Sequence, residues 1–431
     1  MNLMETLENR WINKTYPAIV IDGLQISFKQ IKNTPSSHLK NISRGDVVAI
    51  IGDFDVQSIA NLINLIDIGA IIVPLSPLTS EDHEYFFDTA RVKWVVENVN
   101  TILLPHALTN ELLEGFKGGT NSGLILFSSG TTGRPKAILH DLTLFMNRFY
   151  TPRPTMRTLA FLLFDHIGGI NTLFHALFNS STVVCTKSRD IDSILKLCED
   201  FNVELLPTTP TFLRLMLFSG AVPTKIPKSL KVITYGTERM DEATLKAFCD
   251  LLPHIDFRQT YGLSELGILR IKSKSRDSLF MKIGGEGVEW KVENSLLYLR
   301  SKSRMIGYLN SDSPFDNEGW YLTNDLVEVQ DDYIKIIGRN NDVVNVGGLK
   351  FLLTDVERVA YANPEIELAK VVSKQNPITG QHIEIFIQLR EESRLDLKDL
   401  KAYFSKSLPT HMIPRKFEIT NIEVGHRHKK L

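Results

Sequence analysis

The sequence predicts an α/β protein with a larger N-terminal part and a smaller α+β C-terminal part. Strand-like apolar runs alternate with amphipathic helical stretches through most of the chain, which is the pattern of an α/β fold. From Leu296 onward the strands become shorter, and a polar segment at Gly338–Asp342 indicates a domain boundary. A chain of 431 residues is long enough for two or three domains, because single cores rarely grow beyond about 250–300 residues.

The first elements form a predicted βαβ unit. Val47–Ile51 has the composition of a buried strand, the next segment has apolar residues three and four positions apart, and Ala70–Leu75 is a second strand. Further strands of the same kind are predicted at Thr158–Phe164, Thr182–Cys185 and Lys231–Tyr235. We therefore expect a parallel sheet in the N-terminal part.

The C-terminal elements are predicted from turn and capping signals. Asp331-Asp332 separates the strands Leu326–Gln330 and Tyr333–Ile337, which indicates a hairpin. Thr354 begins a capping-box pattern that predicts a short helix. The remaining predicted elements are a strand at Ile383–Leu389 and a helix at Leu395–Ser407.

Composition excludes several classes of protein. Lys+Arg at 49 against Asp+Glu at 50 argues against bulk binding to nucleic acid or anionic membrane. The three cysteines form no CxxC pair, so we expect no disulfide framework or zinc site and a reducing, cytoplasmic environment. The N-terminus lacks the pattern of a secretory signal. The most apolar region, Ile59–Leu75, is too polar to span a bilayer.

A loop rich in glycine and hydroxyl residues follows the predicted strand Leu124–Phe127. It runs from Ser128 to Lys136 and offers hydroxyl donors, closely approachable backbone amides and one positive charge, all of which suit phosphate oxygens. The loop does not match GxxxxGK[ST], so it is not a Walker loop. Composition alone fits a surface turn equally well.

The string SSGTTGRPKA resembles the phosphate-binding signature of the adenylate-forming superfamily, which includes acyl- and aryl-CoA synthetases, peptide-synthetase adenylation domains and luciferases. The family form ends in PKG, where this chain has Ala137; the exchange is minor if that position does not need a positive φ. The resemblance implies that Lys136 is catalytic and that the ATP phosphates are bound by Ser128, Ser129, Gly130, Thr131, Thr132 and Gly133.

The resemblance extends over nearly the whole chain and implies a domain organisation. Residues 1–338 would form a large domain of layered α/β subdomains that binds nucleotide and acyl group. Residues 339–431 would form a small, mobile α+β lid domain.

The segment YGLSE resembles the family's YGxTE. By that resemblance Tyr261 lies beside adenine, Gly262 belongs to the nucleotide site, Ser264 contacts phosphate and Glu265 holds Mg²⁺. A carboxylate together with phosphate oxygens is a suitable ligand set for this hard cation.

The segment GWYLTND resembles GWxxTGD, in which Asp325 would accept hydrogen bonds from the ribose hydroxyls. Asn324 replaces a glycine of the family pattern, and Asn is among the residues that tolerate a left-handed backbone.

The segment GRNND resembles the junction between the two domains. Arg339 would contact ribose or phosphate, and Asn341 occupies the hinge position, where the family usually carries Asp or Lys. Gly347 and Gly348 match a glycine loop that approaches the acyl centre in the thiol tunnel when the small domain rotates.

Two alignments of the acyl pocket stay open. Asp165-His166-Ile167-Gly168-Gly169 resembles FHxGG of CoA ligases, in which His166 would lie near the substrate carboxylate or gate its pocket. A shift by one residue aligns Phe164-Asp165 with the FD of amino-acid adenylation domains, in which the Asp grips the substrate amine.

The C-terminus departs from the family pattern. Matching on Gly425 puts His426 where the family has a catalytic lysine, and Lys429 is three residues further on. Lys429 in a shifted register, protonated His426, or weak adenylation are three ways to account for this.

The sequence thus predicts an AMP-forming acid–thiol ligase. It would use ATP and Mg²⁺ to activate a small carboxylic acid and pass the acyl group to coenzyme A or a carrier-protein phosphopantetheine. The alternatives are an amino-acid adenylation enzyme that loads an acyl carrier protein, and a nucleotide-binding homologue with weakened catalysis. The sequence does not identify the acid.

Overall fold

The computed structural model describes residues 2–105, 110–117, 119, 121–128, 134–285 and 287–424. Its α-helices are Leu3–Trp11, Phe28–Lys32, Val56–Ile68, His83–Ala90, Glu111–Lys117, Leu142–Met146, Ile167–Phe178, Ile191–Asp200, Pro210–Phe218, Glu242–Leu251, Leu353–Ala362 and Leu397–Ser407. Short 3₁₀ helices lie at Ser37–Leu39, Pro77–Asp82, Asn147–Phe149, Asn340–Asp342 and Thr410–Met412.

Sheet A has seven strands and is parallel except at one edge. Its strands, in spatial order, are Asp256–Gln259, Val232–Tyr235, Leu205–Thr208, Thr158–Leu159, Val183–Cys185, Ile19–Ile21 and Leu24–Ile26. Only the last pairing is antiparallel. The carboxyl ends of the parallel strands therefore meet at one edge, where open α/β sheets bind ligands.

Sheet B also has seven strands and contains the predicted βαβ unit. Its strands, in spatial order, are Gly307–Tyr308, Ala137–Asp141, Gly123–Phe127, Ile71–Leu75, Val47–Ile51, Trp94–Glu97 and Asn100–Leu103. Val47–Ile51 and Ile71–Leu75 are parallel and are joined by the helix Val56–Ile68, as the sequence predicts. The two strands that flank the predicted phosphate loop are antiparallel neighbours.

One hydrophobic core connects these two sheets. It contains Ile19 from sheet A and Val48, Ile72 and Leu124 from sheet B, all essentially inaccessible to solvent. The helix Ile167–Phe178 buries most of its residues in the same core. The two sheets and the helices between them therefore form the layered α/β arrangement that the sequence predicts.

Sheet C is antiparallel and has six strands. They are, in spatial order, Arg270–Ser273, Met281–Gly284, Tyr333–Arg339, Tyr321–Gln330, Leu296–Ser301 and Val288–Glu293. The hairpin predicted at Asp331-Asp332 is confirmed, and Asp331 takes a φ of 54° in its turn.

Sheet D lies in the C-terminal part and has a core of its own. Its strands are Leu349–Leu352, Val343–Val346, Gly380–Leu389, Ile366–Asn376 and Lys416–Ile419. The buried residues of this core all lie between Val344 and Phe417. A separate core is consistent with a separate domain, so we keep the boundary at residues 338 and 339 as a proposal.

Two local predictions are wrong. The strand predicted at Thr158–Phe164 ends at Leu159, because the buried residues after it pack into the core without continuing the ladder. The short helix predicted from Thr354 begins at Leu353, and Thr354 does not cap it; the Thr354 hydroxyl donates instead to the Ile337 carbonyl at 3.1 Å. None of the helices in the described part of the chain has the length and apolar character needed to cross a bilayer.

Candidate active site

Two loops meet at the carboxyl edge of sheet A. Val232–Tyr235 and Asp256–Gln259 are parallel neighbours, so the segments that follow them leave the sheet side by side. The Thr260 amide donates to the Tyr235 carbonyl at 2.8 Å. A Cβ atom on Gly236 would lie 2.1 Å from the Thr260 hydroxyl, so this close approach requires glycine. The segment at residues 235–238 thus lies directly against the start of YGLSE.

The segment YGLSE forms one side of a tight antiparallel hairpin. Gly262–Leu263 pairs with Gly267–Ile268, which puts Ser264 and Glu265 at the turn. The Glu265 carbonyl accepts a 2.7 Å hydrogen bond from the Met305 amide. Main-chain contacts therefore hold Glu265 at the edge of the site.

The base of the predicted phosphate loop is closed by reciprocal hydrogen bonds. The Ser128 amide donates to the Lys136 carbonyl, and the Lys136 amide donates to Ser128 Oγ, both at 3.0 Å. Asn310 braces the same end by donating to the Pro135 carbonyl and accepting from the Ala137 amide. The residues predicted to contact phosphate between these ends, namely Ser129, Gly130, Thr131, Thr132 and Gly133, lie outside the described residues.

Tyr308 joins the two charged groups that the sequence assigns to phosphate and metal. Its hydroxyl donates to Glu265 Oε1 at 2.6 Å, and Lys136 Nζ lies 4.7 Å from the centroid of its ring. Tyr321 hydrogen-bonds Tyr308 and lies near Glu265 and Asp325. Burial and the neighbouring Glu265 raise the pKa of Tyr308, so its hydroxyl keeps its proton at neutral pH.

Sequence reasoning missed Tyr308 and Tyr321. Gly307-Tyr308 is a two-residue strand, and its local sequence carries no chemical signal. The contacts to Lys136 and Glu265 exist only because the fold brings distant segments together.

Asp325 is buried in a small polar network. One carboxylate oxygen accepts a short hydrogen bond from the Tyr261 hydroxyl, and the other lies 3.4 Å from Arg339 Nε. The Thr323 hydroxyl accepts from the Asp325 amide at 3.0 Å. Asp325 is 3% exposed, and this burial raises the pKa of its carboxyl group. The structure thus brings Tyr261, Asp325 and Arg339 together.

Two departures from the family motifs, at Asn324 and Ala137, are accommodated by the backbone. Asn324, in place of glycine, takes a φ of 61°, which is the left-handed conformation that Asn tolerates. Ala137 pairs with Phe127 as an ordinary strand residue and has no positive φ.

His140 lies behind the YGLSE hairpin and was not singled out from the sequence. It is 3% exposed, and its ring hydrogen-bonds the Ser264 backbone. Its Nε2 atom has no hydrogen-bond partner among the described residues. Burial lowers the pKa of His140 to about 4, so the ring is neutral at physiological pH.

His166 caps the helix Ile167–Phe178. Its Nδ1 accepts a hydrogen bond from the Gly168 amide at 2.9 Å, so the side chain pairs one of the backbone donors at the helix N-terminus. Asp165, the residue of the alternative alignment, is 7% exposed and lies among the charges of Asp53 and Arg189.

Three further predicted residues lie in exposed turns of the described chain. Asn341 lies in the exposed 3₁₀ turn Asn340–Asp342. Gly347 and Gly348 form an exposed hairpin turn with φ of 60° and 90°, and a Cβ on either would meet no atom within 4 Å. His426 and Lys429 lie outside the described residues.

The described residues contain no cluster of three or more His, Cys, Asp or Glu side chains that could bind a metal alone. Glu265 offers one carboxylate, of which Oε1 is engaged by Tyr308. This donor set fits Mg²⁺ shared with phosphate oxygens and water, because that cation usually takes only one or two carboxylates from a protein.

The sequence is similar to those of known CoA ligase-like and peptide-synthase proteins and matches one family model. Residues 118–296 match the family model "AMP-binding enzyme". The 4-coumarate–CoA ligase-like 6 of Arabidopsis thaliana is 22% identical over 89% of this chain and 79% of its own length. A dimodular nonribosomal peptide synthase of Bacillus subtilis is 21% identical over 93% of this chain, which spans 19% of that protein.

The fold is that of a solved CoA ligase. The crystal structure of an anthranilate CoA ligase in complex with anthranoyl-AMP superposes with a TM-score of 0.81. The match covers 100% of this chain and 95% of the other, at 18% sequence identity. The two proteins therefore share a fold over the whole length of this chain.

Proposed function

We propose that this chain belongs to the adenylate-forming superfamily and is an AMP-forming acid–thiol ligase. The observation that carries the proposal is the contact chain from Lys136 through Tyr308 to Glu265. It brings a cation from the phosphate loop and a carboxylate from the YGLSE hairpin to one place. Asp325 and Arg339 lie beside Tyr321 at the same site.

In the first half-reaction, the carboxylate of a small acid attacks the α-phosphorus of ATP. A bond forms between the carboxylate oxygen and phosphorus, and the bond to pyrophosphate breaks, which gives an acyl-adenylate. Lys136 and the hydroxyl and amide groups from Ser128 to Gly133 stabilise the charge that develops on the phosphates. Asp325 orients the ribose, and Tyr261 and Arg339 hold its carboxylate in place.

Glu265, with nucleotide phosphates and water, would hold Mg²⁺, which neutralises phosphate charge when bound. Tyr308 keeps one oxygen of the Glu265 carboxylate engaged, so the other oxygen is available to a cation.

In the second half-reaction, a thiol of coenzyme A or of a carrier-protein phosphopantetheine attacks the acyl carbonyl. A thioester forms, the bond to AMP breaks, and the thiol gives up its proton to solvent. Residues 339–431 would rotate about Asn341 between the two reactions and bring Gly347 and Gly348 to the thiol tunnel. The exposed position of both glycines supports such a rotation, since an exposed turn can contact another surface when its domain moves.

A second candidate is an amino-acid adenylation enzyme that loads an acyl carrier protein. The 21% identity to the dimodular nonribosomal peptide synthase and the burial of Asp165 favour it. The variant Asp165→Ala distinguishes this candidate from the first. It should lose the activation of amino acids and retain the activation of acids without an amine.

The test of the proposed function is acid-dependent exchange of labelled pyrophosphate into ATP. Purified protein, ATP and Mg²⁺ are mixed with a panel of aryl, fatty and amino acids. The variants Lys136→Met and Glu265→Gln show whether the exchange depends on the proposed active site. We expect at least one acid to stimulate exchange and Lys136→Met to slow it by about 10²–10³-fold, the usual cost of losing a group that stabilises developing charge.

The outcome that contradicts the proposal is nucleotide binding without exchange for every acid tested. That result would favour the nucleotide-binding homologue with weakened catalysis.

A further inference from the structure

Tyr308 occupies a fixed position between two segments of the site. Gly307–Tyr308 pairs with the strand that follows the phosphate loop, with Tyr308 opposite Ile138 and Gly307 opposite Leu139. The Ile306 amide donates to the Leu139 carbonyl at 2.8 Å, which extends this pairing. The backbone of Tyr308 is therefore anchored to the strand that begins one residue after Lys136.

The hydroxyl of Tyr308 reaches across to the other segment of the site. It donates to Glu265 Oε1 at 2.6 Å, a length typical of a strong hydrogen bond to a carboxylate. Tyr308 is 9% exposed, and Tyr321 is a further hydrogen-bond partner of the same hydroxyl. Packing and two polar partners thus fix the direction in which the Glu265 carboxylate points.

The ring of Tyr308 contacts the cation of the phosphate loop. Lys136 Nζ lies 4.7 Å from the ring centroid, within the range of a cation–π contact. Lys136 is exposed, and its contact with the Tyr308 ring positions the ammonium group beside the site.

We propose that Tyr308 is a positioning residue for both charged groups. Its hydroxyl orients Glu265 so that the second carboxylate oxygen faces a divalent cation bound with the nucleotide. Its ring holds Lys136 where the phosphates bind. This inference rests on the proposed function, and it assigns Tyr308 no contact with substrate.

A purely structural role makes a different prediction. Tyr308 also packs in a small core with Ile138 and Met305. If that packing were its only role, removing the hydroxyl would leave metal affinity unchanged. The deciding variant is therefore Tyr308→Phe, which keeps the ring and its packing and removes only the hydrogen bond.

The experiment measures Mn²⁺ binding by electron paramagnetic resonance in the presence of α,β-methylene-ATP. For Tyr308→Phe we expect an Mn²⁺ affinity about 10-fold or more below that of the wild type, as is usual when a partner of a metal-binding carboxylate is lost. Its affinity for the analogue without metal should stay unchanged, because Lys136 keeps its contact with the ring.

Tyr403→Phe is the matched control. The Tyr403 hydroxyl donates to the Val359 carbonyl at 2.8 Å in the C-terminal part, so this variant also loses one partly buried hydrogen bond. It should show wild-type Mn²⁺ affinity and a melting temperature similar to that of Tyr308→Phe.

Tyr308→Leu tests the contact between the Tyr308 ring and Lys136. It removes the ring as well, so we expect affinity for the analogue without metal to fall severalfold relative to Tyr308→Phe. Equal analogue affinities in these two variants would contradict the role of the ring.

Equal Mn²⁺ affinities in the wild type and Tyr308→Phe would overturn the role of the hydroxyl. A wild-type protein that binds Mn²⁺ with the analogue but activates no acid would contradict the proposed reaction alone. The two failures are thus distinguishable, because the metal measurement requires no turnover.

Discussion

Burial shifts the pKa of two ionisable residues next to the proposed nucleotide site. His140 is neutral because a charged imidazole would lose its hydration, and the nearby Arg148 disfavours the charge further. Asp325 is also buried, but Tyr261 and Arg339 face its carboxylate and partly offset the cost. Each residue leads to a different prediction about stability.

The first prediction concerns acid sensitivity. The pKa of His140 is about 4 in the folded protein, against 6.5 for a free side chain. As pH falls below 6.5 the unfolded chain takes up a proton that the folded protein resists. Stability from this group is therefore lost between pH 6.5 and about 4, up to about 3 kcal/mol.

His140→Asn should remove this dependence while keeping a donor for the Ser264 backbone. The free energy of unfolding in urea, measured at pH 7 and pH 4.5, should fall less in the variant than in the wild type. Equal losses in both proteins would show that His140 is not buried as described.

The second prediction separates function from stability at Asp325. The raised pKa means that the ionised carboxylate costs stability once the pH rises above it, so Asp325→Asn should not destabilise the protein at pH 7.5. Asn keeps one acceptor for the Tyr261 hydroxyl, and Arg339 is 56% exposed and remains hydrated.

We expect Asp325→Asn to bind ATP about 10–100-fold more weakly, because it loses charged hydrogen bonds to the ribose. Calorimetry measures the affinity of the variant for ATP, and a thermal melt of the same sample measures its stability. A variant that binds ATP normally would contradict the role given to Asp325.

At the scale of elements, the close packing of two loops fixes the site. Gly236 approaches Thr260 so closely that a methyl group would overlap the hydroxyl and lie 2.8 Å from the Thr260 carbonyl oxygen. Gly236→Ala should therefore cost about 1–3 kcal/mol of stability and displace the YGLSE hairpin. Gly284→Ala is the matched control, since a Cβ there meets no atom within 4 Å.

Urea unfolding measures the first effect, and the Michaelis constant for ATP measures the second. If the two alanine variants were equally stable, the loops could not be packed as described.

Local signals predicted some elements and could not predict others. The Asp331-Asp332 hairpin follows from two apolar runs around a polar pair, which is information held in neighbouring residues. The segment after Leu159 is equally apolar, but whether it extends the ladder depends on neighbours elsewhere in the fold. Apolar composition reports burial, not hydrogen-bond pairing.

The site residues that could be predicted from the sequence are those that lie in recognisable motifs. Glu265, Asp325 and Lys136 lie in strings similar to known motifs, so their roles could be carried over residue by residue. The role of Tyr308 depends on its contact with Glu265, which lies 43 positions away in the sequence, and only the folded chain shows this contact.

At the scale of the whole molecule, Arg214 links the C-terminal part to the rest. It extends from the helix Pro210–Phe218 and donates to the carbonyls of Ile366 and Glu367 at 2.8 and 2.7 Å. Its guanidinium also lies 3.8 Å from the centroid of the Tyr361 ring. Arg214 is 4% exposed, so these contacts are made away from water.

Arg214→Met should loosen this contact surface. It leaves two carbonyls without their donor, at a cost of about 1–3 kcal/mol each where they stay buried. Hydrogen exchange across residues 353–376 should accelerate, while exchange in the strand Val47–Ile51 should not change. Arg214→Lys should give an intermediate result, because lysine keeps the charge but lacks the planar set of donors. Unchanged exchange in Arg214→Met would contradict the role of this contact.

Lys136, Glu265 and Asp325 are expected to surround one bound nucleotide. A crystal structure with α,β-methylene-ATP and Mg²⁺ tests this arrangement. We expect the ribose hydroxyls within hydrogen-bond distance of Asp325 and the phosphates between Lys136 and the Glu265 carboxylate. A nucleotide bound elsewhere, with Asp325 still hydrogen-bonded to Tyr261 and next to Arg339, would show that these residues do not form the nucleotide site.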